Sequence, residues 1–429
     1  MKKSVAVLIA FFLLLPAISF AGSATSRYDV TIGGFVKFDM GYATQGVGAD
    51  YIRAERSSYH RNQNQNDEYG NFYAASGETR LNMLVKGPDG WGAKTTAFIE
   101  GDFRGTQAGA NYGVFALRHA YIRMTWTNTT LTMGQTWQRW GYLGANAGVN
   151  LGVNDVNPFL RGQRQPQITV EQRFNKNWSA SFGIYSPANM QGTVGGASRV
   201  SSFTMSGLPF AEGEVVFKSD ACGKIGPRNL LFGLGGYIGQ EKPSWIAQTA
   251  AVGRPQIYND DKVTSWGVAL KGYIPIIPEK KSGKAGALSL AGNIFMGQDL
   301  SWFATAFPGS YPVGTAGNRH YSAPVVTGGY AQLQYYFTNR LFATGWYGYG
   351  KTNMSTTYSQ VAANVNGVKT LQHIMVNLSY DVNPAVRLGI EYANIYTRYA
   401  NYQAVVAGSQ YYDSKGSLNS VRVGAWYFF

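Results

Sequence analysis

Apolar and polar residues alternate one by one through most of this chain, and that period of two restricts it to strands buried on one face. In ETRLNMLVK, residues 78–86, Leu81, Met83 and Val85 fall on one face, against Glu78, Arg80, Asn82 and Lys86 on the other. TIGGFVKFDMG repeats the pattern from Thr31, setting Ile32, Gly34, Val36, Phe38 and Met40 against Lys37 and Asp39. It recurs in QITVEQRF, in SWGVALKGYI, in YAQLQYYF and in the closing VRVGAWYFF.

Marking each such segment predicts sixteen strands, at 30–43, 77–87, 92–105, 115–126, 129–138, 166–175, 178–187 and 210–219, then 230–240, 262–275, 286–298, 327–338, 341–352, 371–382, 386–399 and 417–429. Most have the nine to eleven residues a tilted strand needs to cross a bilayer (about ten). The connections alternate in length. GPDGW, TNT, FNKNW, SDACGKIGPRN, PIIPEKKSGKAG, FTNR and DVNPA are short. Between them run long excursions rich in Gly, Asn, Tyr and Ser, near 44–76, 106–114, 139–165, 188–209, 241–261, 299–326, 353–370 and 400–416. Tight turns on one side and long loops on the other suit a meander across a membrane, and a soluble sandwich gives no reason for them.

MKKSVAVLIAFFLLLPAISFAGS at the start joins two lysines, an apolar run broken by Pro16 and small residues at Ser19 and Ala21. It is expected to be a secretory signal peptide, residues 1–21, leaving 22–429 as one β-barrel domain. Beyond it no apolar stretch reaches the roughly eighteen residues of a membrane helix.

The last strand explains why a barrel is required. Hydrocarbon offers backbone amides no partner, so a sheet satisfies its edges only by closing on itself, last strand against first. Val421, Val423, Ala425, Tyr427 and Phe429 would then face lipid, with Arg422, Gly424 and Trp426 inward. Trp91, Trp126, Trp178, Phe337 and Tyr380 also stand at strand ends, as an aromatic girdle needs.

A terminal Phe after alternating apolar residues resembles the signal of Gram-negative outer-membrane porins, and the architecture resembles theirs over the whole mature chain. GETRLNMLVKG and FALRHAYIRMTW…LTMGQTW resemble early strands of the DcaP-type porins, a family of dicarboxylate channels. The resemblance implies an all-β fold: a transmembrane antiparallel β-barrel of about 16 strands, with long extracellular loops, short periplasmic turns and an inward-folded third loop. It also implies insertion by the barrel-assembly machinery reading Tyr427 and Phe429, a location in outer-membrane lipid, and a homotrimer. Outward small residues Ala93, Ala97 and Gly101 would offer a flat subunit contact.

A sixteen-stranded barrel is too wide to fill with wall side chains and leaves an aqueous lumen. The third long connection, residues 139–165, occupies the position of the porin constriction loop, and its Gly and Asn permit the turns. Fixed charges in a low-dielectric eyelet select the passing ion. The inward register offers Lys37, Arg80, Lys94, Arg104 and Arg173 against Asp39, Glu78, Glu100, Asp102 and Glu171, and the loop adds Asp155, Arg161 and Arg164. Arg118 is a further candidate, but Arg118 and Arg123 lie an odd number apart on one strand, so one of them is expected to face outward. The formal net charge is +14, or +12 once Lys2 and Lys3 leave with the leader, which predicts a mild preference for anions or carboxylates among small hydrophilic solutes.

Other functions find little purchase. The basic residues are scattered, without a nucleic-acid motif. His60, His119, His320 and His373 lack H-E-x-x-H spacing, and no Ser sits in a G-x-S-x-G turn, so no enzyme chemistry is expected. Cys222 stands alone, excluding an internal disulfide and covalent haem, and neither cofactor nor metal is expected. GLGGYIG from Gly233 misses phosphate-loop spacing and lies within a strand. Two rivals to a diffusion channel stay open: a barrel sheathing an electron-conducting cytochrome, and a structural or surface-attachment barrel with a plugged lumen.

Overall fold

The computed structural model describes residues 28–46, 69–107, 110–143, 159–160, 162–186, 206–243, 246–248, 257–258, 261–315, 318–353, 367–400 and 415–429. The strands are β1 (Asp29–Ala43), β2 (Asn71–Ala75), β3 (Arg80–Lys86), β4 (Lys94–Gln107), β5 (Ala110–Thr125), β6 (Thr129–Trp137) and β7 (Arg164–Arg173). Next come β8 (Trp178–Tyr185), β9 (Phe210–Ile225), β10 (Arg228–Glu241), β11 (Ile246–Gln248), β12 (Ile257–Tyr258), β13 (Val263–Ile277) and β14 (Leu288–Gln298). The rest are β15 (Tyr311–Thr315), β16 (Asn318–Ser322), β17 (Val325–Tyr336), β18 (Leu341–Asn353), β19 (Val368–Asp381), β20 (Val386–Tyr399) and β21 (Lys415–Phe428).

Every wall strand pairs antiparallel with its sequence neighbour, and β1 pairs with β21 from Phe35↔Phe428 to Ala43↔Ser420, which closes the sheet. β2 and β3 both pair with β1, one above the other, and together form a single stave buckled at residues 76–79. β11–β12 and β15–β16 are separate two-stranded hairpins. Sixteen staves remain, one for each strand expected from the period of two.

On β1, Ile32, Val36, Phe38, Met40 and Tyr42 are exposed while Lys37, Asp39 and Ala43 are buried. The apolar face therefore points out of the barrel, as lipid requires, and the polar face points in. At the seam β1 passes between β3 and β21. There Gly34 N donates to Phe429 O at 3.1 Å and Phe429 N donates back at 3.2 Å. Gly34 has φ 153°, and a Cβ on it would stand 2.1 Å from the Arg80 carbonyl oxygen, so only glycine fits. The terminal Phe is thus the last rung of the seam.

Four expectations need correction. Residues 106–114 are not a long excursion, because β4 and β5 stay paired out to Gln107↔Ala110. The turn expected at 219–229 is shorter, because β9 runs on to Ile225 and leaves Gly226 and Pro227 before β10. Arg118 and Arg123 both face inward. A β-bulge sets Glu100 opposite His119 but Gly101 opposite Leu117, so Arg118 is the extra residue and the parity of β5 changes there. Ala93 is fully buried in its turn rather than outward, and the space outside Gly101 holds the Phe115 ring.

The interior is not uniform. From β8 round to β21, and on to Ala43 of β1 and Tyr73 of β2, an apolar cluster fills part of it, with Trp140, Phe159, Phe303 and Phe307 from two connections packed on Phe210, Tyr237 and Trp346 of the wall. Trp140 lies 4.7 Å from the Tyr237 ring and 5.0 Å from Phe303. The arc from β1 to β5 is instead lined by charge.

Candidate functional site

Burying a charge is tolerable only when it is paired, and the β1–β5 arc pairs nearly all of its charges. Lys37 contacts Glu78 and holds Asp39 at 2.8 Å. The buckle at 76–79 turns Glu78 inward, and Thr79 Oγ1 accepts from Lys37 N at 3.1 Å. Arg104 reaches Glu78 at 3.1 Å. The bulged Arg118 donates to Glu100 at 2.9 Å and to Asp102 at 2.7 Å, while Arg80 stands 3.6 Å from Glu100 and 4.0 Å from Asp102. Farther round the seam, Arg422 pairs with Glu391.

The connection after β6 crosses the interior. Arg139 N donates to both oxygens of Glu212 on β9, at 3.1 and 3.2 Å. Gly141 N donates to Glu214 at 3.2 Å. Lys271 on β13 binds the Tyr142 carbonyl at 2.7 Å, the Arg139 carbonyl at 3.1 Å and Glu214 at 2.7 Å. Asn293 of β14 holds the carbonyls of Gly141 and Phe159 at 3.3 and 3.4 Å. Both described ends of this connection are therefore tied to the far wall rather than standing over the mouth.

Between that crossing segment and the charged arc lies a cavity of about 630 Å³. Six cations line it (Arg80, Arg118, Arg123, Arg139, Lys218 and Lys271) against three carboxylates, Glu100, Glu171 and Glu214. Trp137, Tyr121 and Phe98 supply aromatic faces, and His119 lines it with Nδ1 3.2 Å from Thr136 Oγ1. A charged, aromatic-walled chamber of this kind orients small ions and raises their local concentration without chemistry. Among the described residues no three His, Cys, Asp or Glu gather as a metal would require.

Of the residues singled out from the sequence, Arg80, Glu100, Glu171, Arg118 and Arg123 line this cavity. Lys37, Asp102 and Arg104 do not. They stand behind it in the ion-pair network, Lys37 only 2% exposed. Lys94 is not at a constriction either: it is a rim residue paired with Asp89 at 2.7 Å, its side chain 78% exposed. Arg164 is not a loop residue but the first of β7, stacked 4.7 Å from the Trp137 ring, and it is not among the residues that line the cavity. Asp155 and Arg161 lie outside the described residues. Arg139, Lys218, Glu214 and Lys271 went unforeseen. Lys271 was legible as the lone cation on the inner face of SWGVALKGYI, but what it holds is remote in sequence.

The comparisons agree on the architecture. The chain is similar to the outer membrane channel DcaP of Acinetobacter baumannii, with 20% identity and a TM-score of 0.67 over 95% of this chain and 100% of that one. It is similar to an anion-selective porin from Comamonas acidovorans, with 12% identity and a TM-score of 0.53 over 94% and 100%. It is also similar to the trimer form of the Vibrio cholerae outer membrane protein OmpT, with 10% identity and a TM-score of 0.51 over 94% and 100%. No family model matches the chain, and no curated protein does. At these identities the likeness establishes the fold, a closed sixteen-stranded barrel of the outer-membrane porin type.

Proposed function

We propose that the chain is a diffusion channel of the Gram-negative outer membrane that passes small hydrophilic solutes and prefers anions, carboxylates among them. The observation that carries this reading is the cavity lining, where cations outnumber carboxylates two to one inside a closed barrel with an apolar exterior. A field of that sign lowers the energy of a passing anion and raises that of a cation.

In this reading the connection of residues 138–163 is the constriction, because its ends are bonded across the lumen to β9, β13 and β14. A cytochrome filling the barrel would have to displace those bonds, which weighs against the sheath. The short turns face the periplasm, residues 1–21 are removed on export, and three copies assemble, as in the trimer form of the V. cholerae protein.

Planar-bilayer recording across a salt gradient tests the proposal. Open conductance with a reversal potential of the anion-selective sign is expected. A closed barrel, a cation-selective reversal potential or a copurifying cytochrome would overturn it.

A further inference from the structure

The outer wall of the barrel is interrupted at one place. Where the stave of β2 and β3 buckles at residues 76–79, a notch of about 480 Å³ opens, against roughly 30 Å³ for one water. Phe38 of β1 and Phe103 of β4 flank it, with Ala74, Ala75, Ser76 and Gly77 between them. Phe38 and Ala74 belong to the outward face, because they alternate with the buried Asp39 and Tyr73. Exposed apolar residues bracket the notch, Met40 and Phe72 toward the long connections and Leu81 and Ile99 toward the turns. It therefore lies within the lipid-facing belt rather than at a rim. Phe103 packs edge to face on Phe115 of β5, with 5.4 Å between ring centres, so that side of the notch is held in place rather than free to collapse into the space.

The backbone is least satisfied at this same point. β1 pairs with β2 only down to Asp39↔Ala75 and with β3 only up to Phe35↔Arg80, so the ladder breaks between them. The buckle keeps the bonds from Thr79 N to Ser76 O and from Phe103 N to Gly77 O, both at 3.0 Å. No backbone carbonyl among the described residues accepts from the amides of Gly77 or Glu78. Irregular backbone at hydrocarbon depth persists only where protein or a water-filled cavity covers it. Asp39 and Glu78 also line the notch, so an acyl chain lodged there would lie against the ion pairs of Lys37.

We propose that this notch is the socket of a subunit contact, filled by a second copy of the chain. The inference rests on the three-copy assembly proposed above and deepens it by placing the contact on β1 to β4. The occupant has to bring apolar bulk between Phe38 and Phe103 together with an acceptor for the bare amides. A lipid tail brings only the first. The wall of a neighbouring barrel, with its side chains and backbone carbonyls, brings both. In a closed ring of three the two sides of each contact are different patches, so one socket on each copy is enough.

The test reads assembly rather than conduction. The mature chain, folded in detergent, is weighed by native mass spectrometry, and heat-modifiable migration on gels shows that each variant retains the folded barrel. Ala74→Trp puts apolar bulk into the socket, which lipid would accept. It should shift the balance from trimer to monomer by about tenfold or more, as overpacking a contact does. Leu234→Trp, also outward but across the barrel on β10, should leave the balance within about twofold, as a change on an open surface does. A benzophenone amino acid in place of Ser76, irradiated in the outer membrane, should join two copies of the chain, and it serves if Ala74→Trp does not fold. Trimers indifferent to Ala74→Trp, or a Ser76 adduct to lipid or to another protein, would overturn the socket alone. A monomeric wild type would overturn the three-copy assembly with it, and the channel reading stands or falls on its own bilayer recording.

Discussion

Arg118 Nη1 stands 2.7 Å from Asp102 Oδ2 because a one-residue bulge turns Arg118 inward at a point where strict alternation would send it to lipid. The same bulge restores the inward register for Arg123. One irregularity in β5 therefore lets both arginines face the cavity where strict alternation would admit only one, and removes a charge from the lipid face, where an arginine costs about 2–4 kcal/mol at mid-bilayer.

Replacing Arg118 by Gln leaves five lining cations facing three carboxylates and strips Glu100 and Asp102 of their closest partner. The anion-to-cation permeability ratio should fall by a factor of about two to five, the result of a potential change on the order of kT. Reversal potentials in a salt gradient measure it. Adding Glu100→Gln should recover part of the loss, because the uncompensated carboxylate is what attracts cations. No change in ratio would remove this cluster from the selectivity determinants.

Lys271 should act on the lumen through the crossing segment rather than through its own charge. It binds two carbonyls of that segment and Glu214 together, and it is buried. Lys271→Met keeps the stem but removes the anchor, a break in a buried pair that costs about 3–5 kcal/mol. Single-channel conductance and open-channel noise should both rise, and thermal stability should fall. Pairing it with Glu214→Gln should restore stability without quieting the channel. Noise and conductance equal to the wild type would show that the segment is held by other contacts.

The wall was legible in the sequence because its cause is local. A strand between lipid and water must alternate, so β1, β3 and β21 could be placed within a few residues and their faces assigned. Two features broke the rule for physical reasons. The bulge at Arg118 adds a residue on one strand only, which no count along that strand reveals. The buckle at 76–79 exchanges ladder bonds for a buried Glu78 held by Lys37 and Arg104. The site was less legible. Lys271 and Glu214 were readable as inward residues, but their meeting with Tyr142 depends on where a connection crosses the barrel. The apolar fill of Trp140, Phe159, Phe303 and Phe307 was missed for the same reason: a Gly- and Asn-rich loop looks polar until its few aromatics find one another.

The seam makes separable demands on its two sides. Phe429 contributes its backbone to Gly34 and exposes its ring, whereas Gly34 must lack a side chain. Gly34→Val should prevent closure, because its Cβ would overlap the Arg80 carbonyl. Phe429→Ser leaves the backbone pairing available and should reduce the yield of assembled barrel without changing the heat stability of the barrel that does form. Heat-modifiable migration on gels, quantified for both variants, distinguishes the two. Normal assembly of Gly34→Val would mean the seam is looser than its 3.1 and 3.2 Å bonds.

Asp299 provides the pH dependence. It follows β14 directly, at φ 57°, and begins the turn that carries Leu300, Phe303 and Phe307 into the apolar cluster. It is fully buried, beside the Glu241 carboxyl and within hydrogen-bonding reach of Ser265 and the Ser310 backbone. Burial first, and then the charge of Glu241, push its pKa well above the ordinary carboxylate value. The fold therefore favours the protonated acid. Stability linked to Asp299 is fully present below its unfolded pKa of about 4 and is lost as pH rises through the raised folded value. Asp299→Asn mimics the protonated form, so its melting temperature should exceed that of the wild type at neutral and alkaline pH and converge with it below about pH 4. The opposite order at neutral pH would show that the carboxylate is stabilised as an anion, by a cation reaching it from another part of the chain.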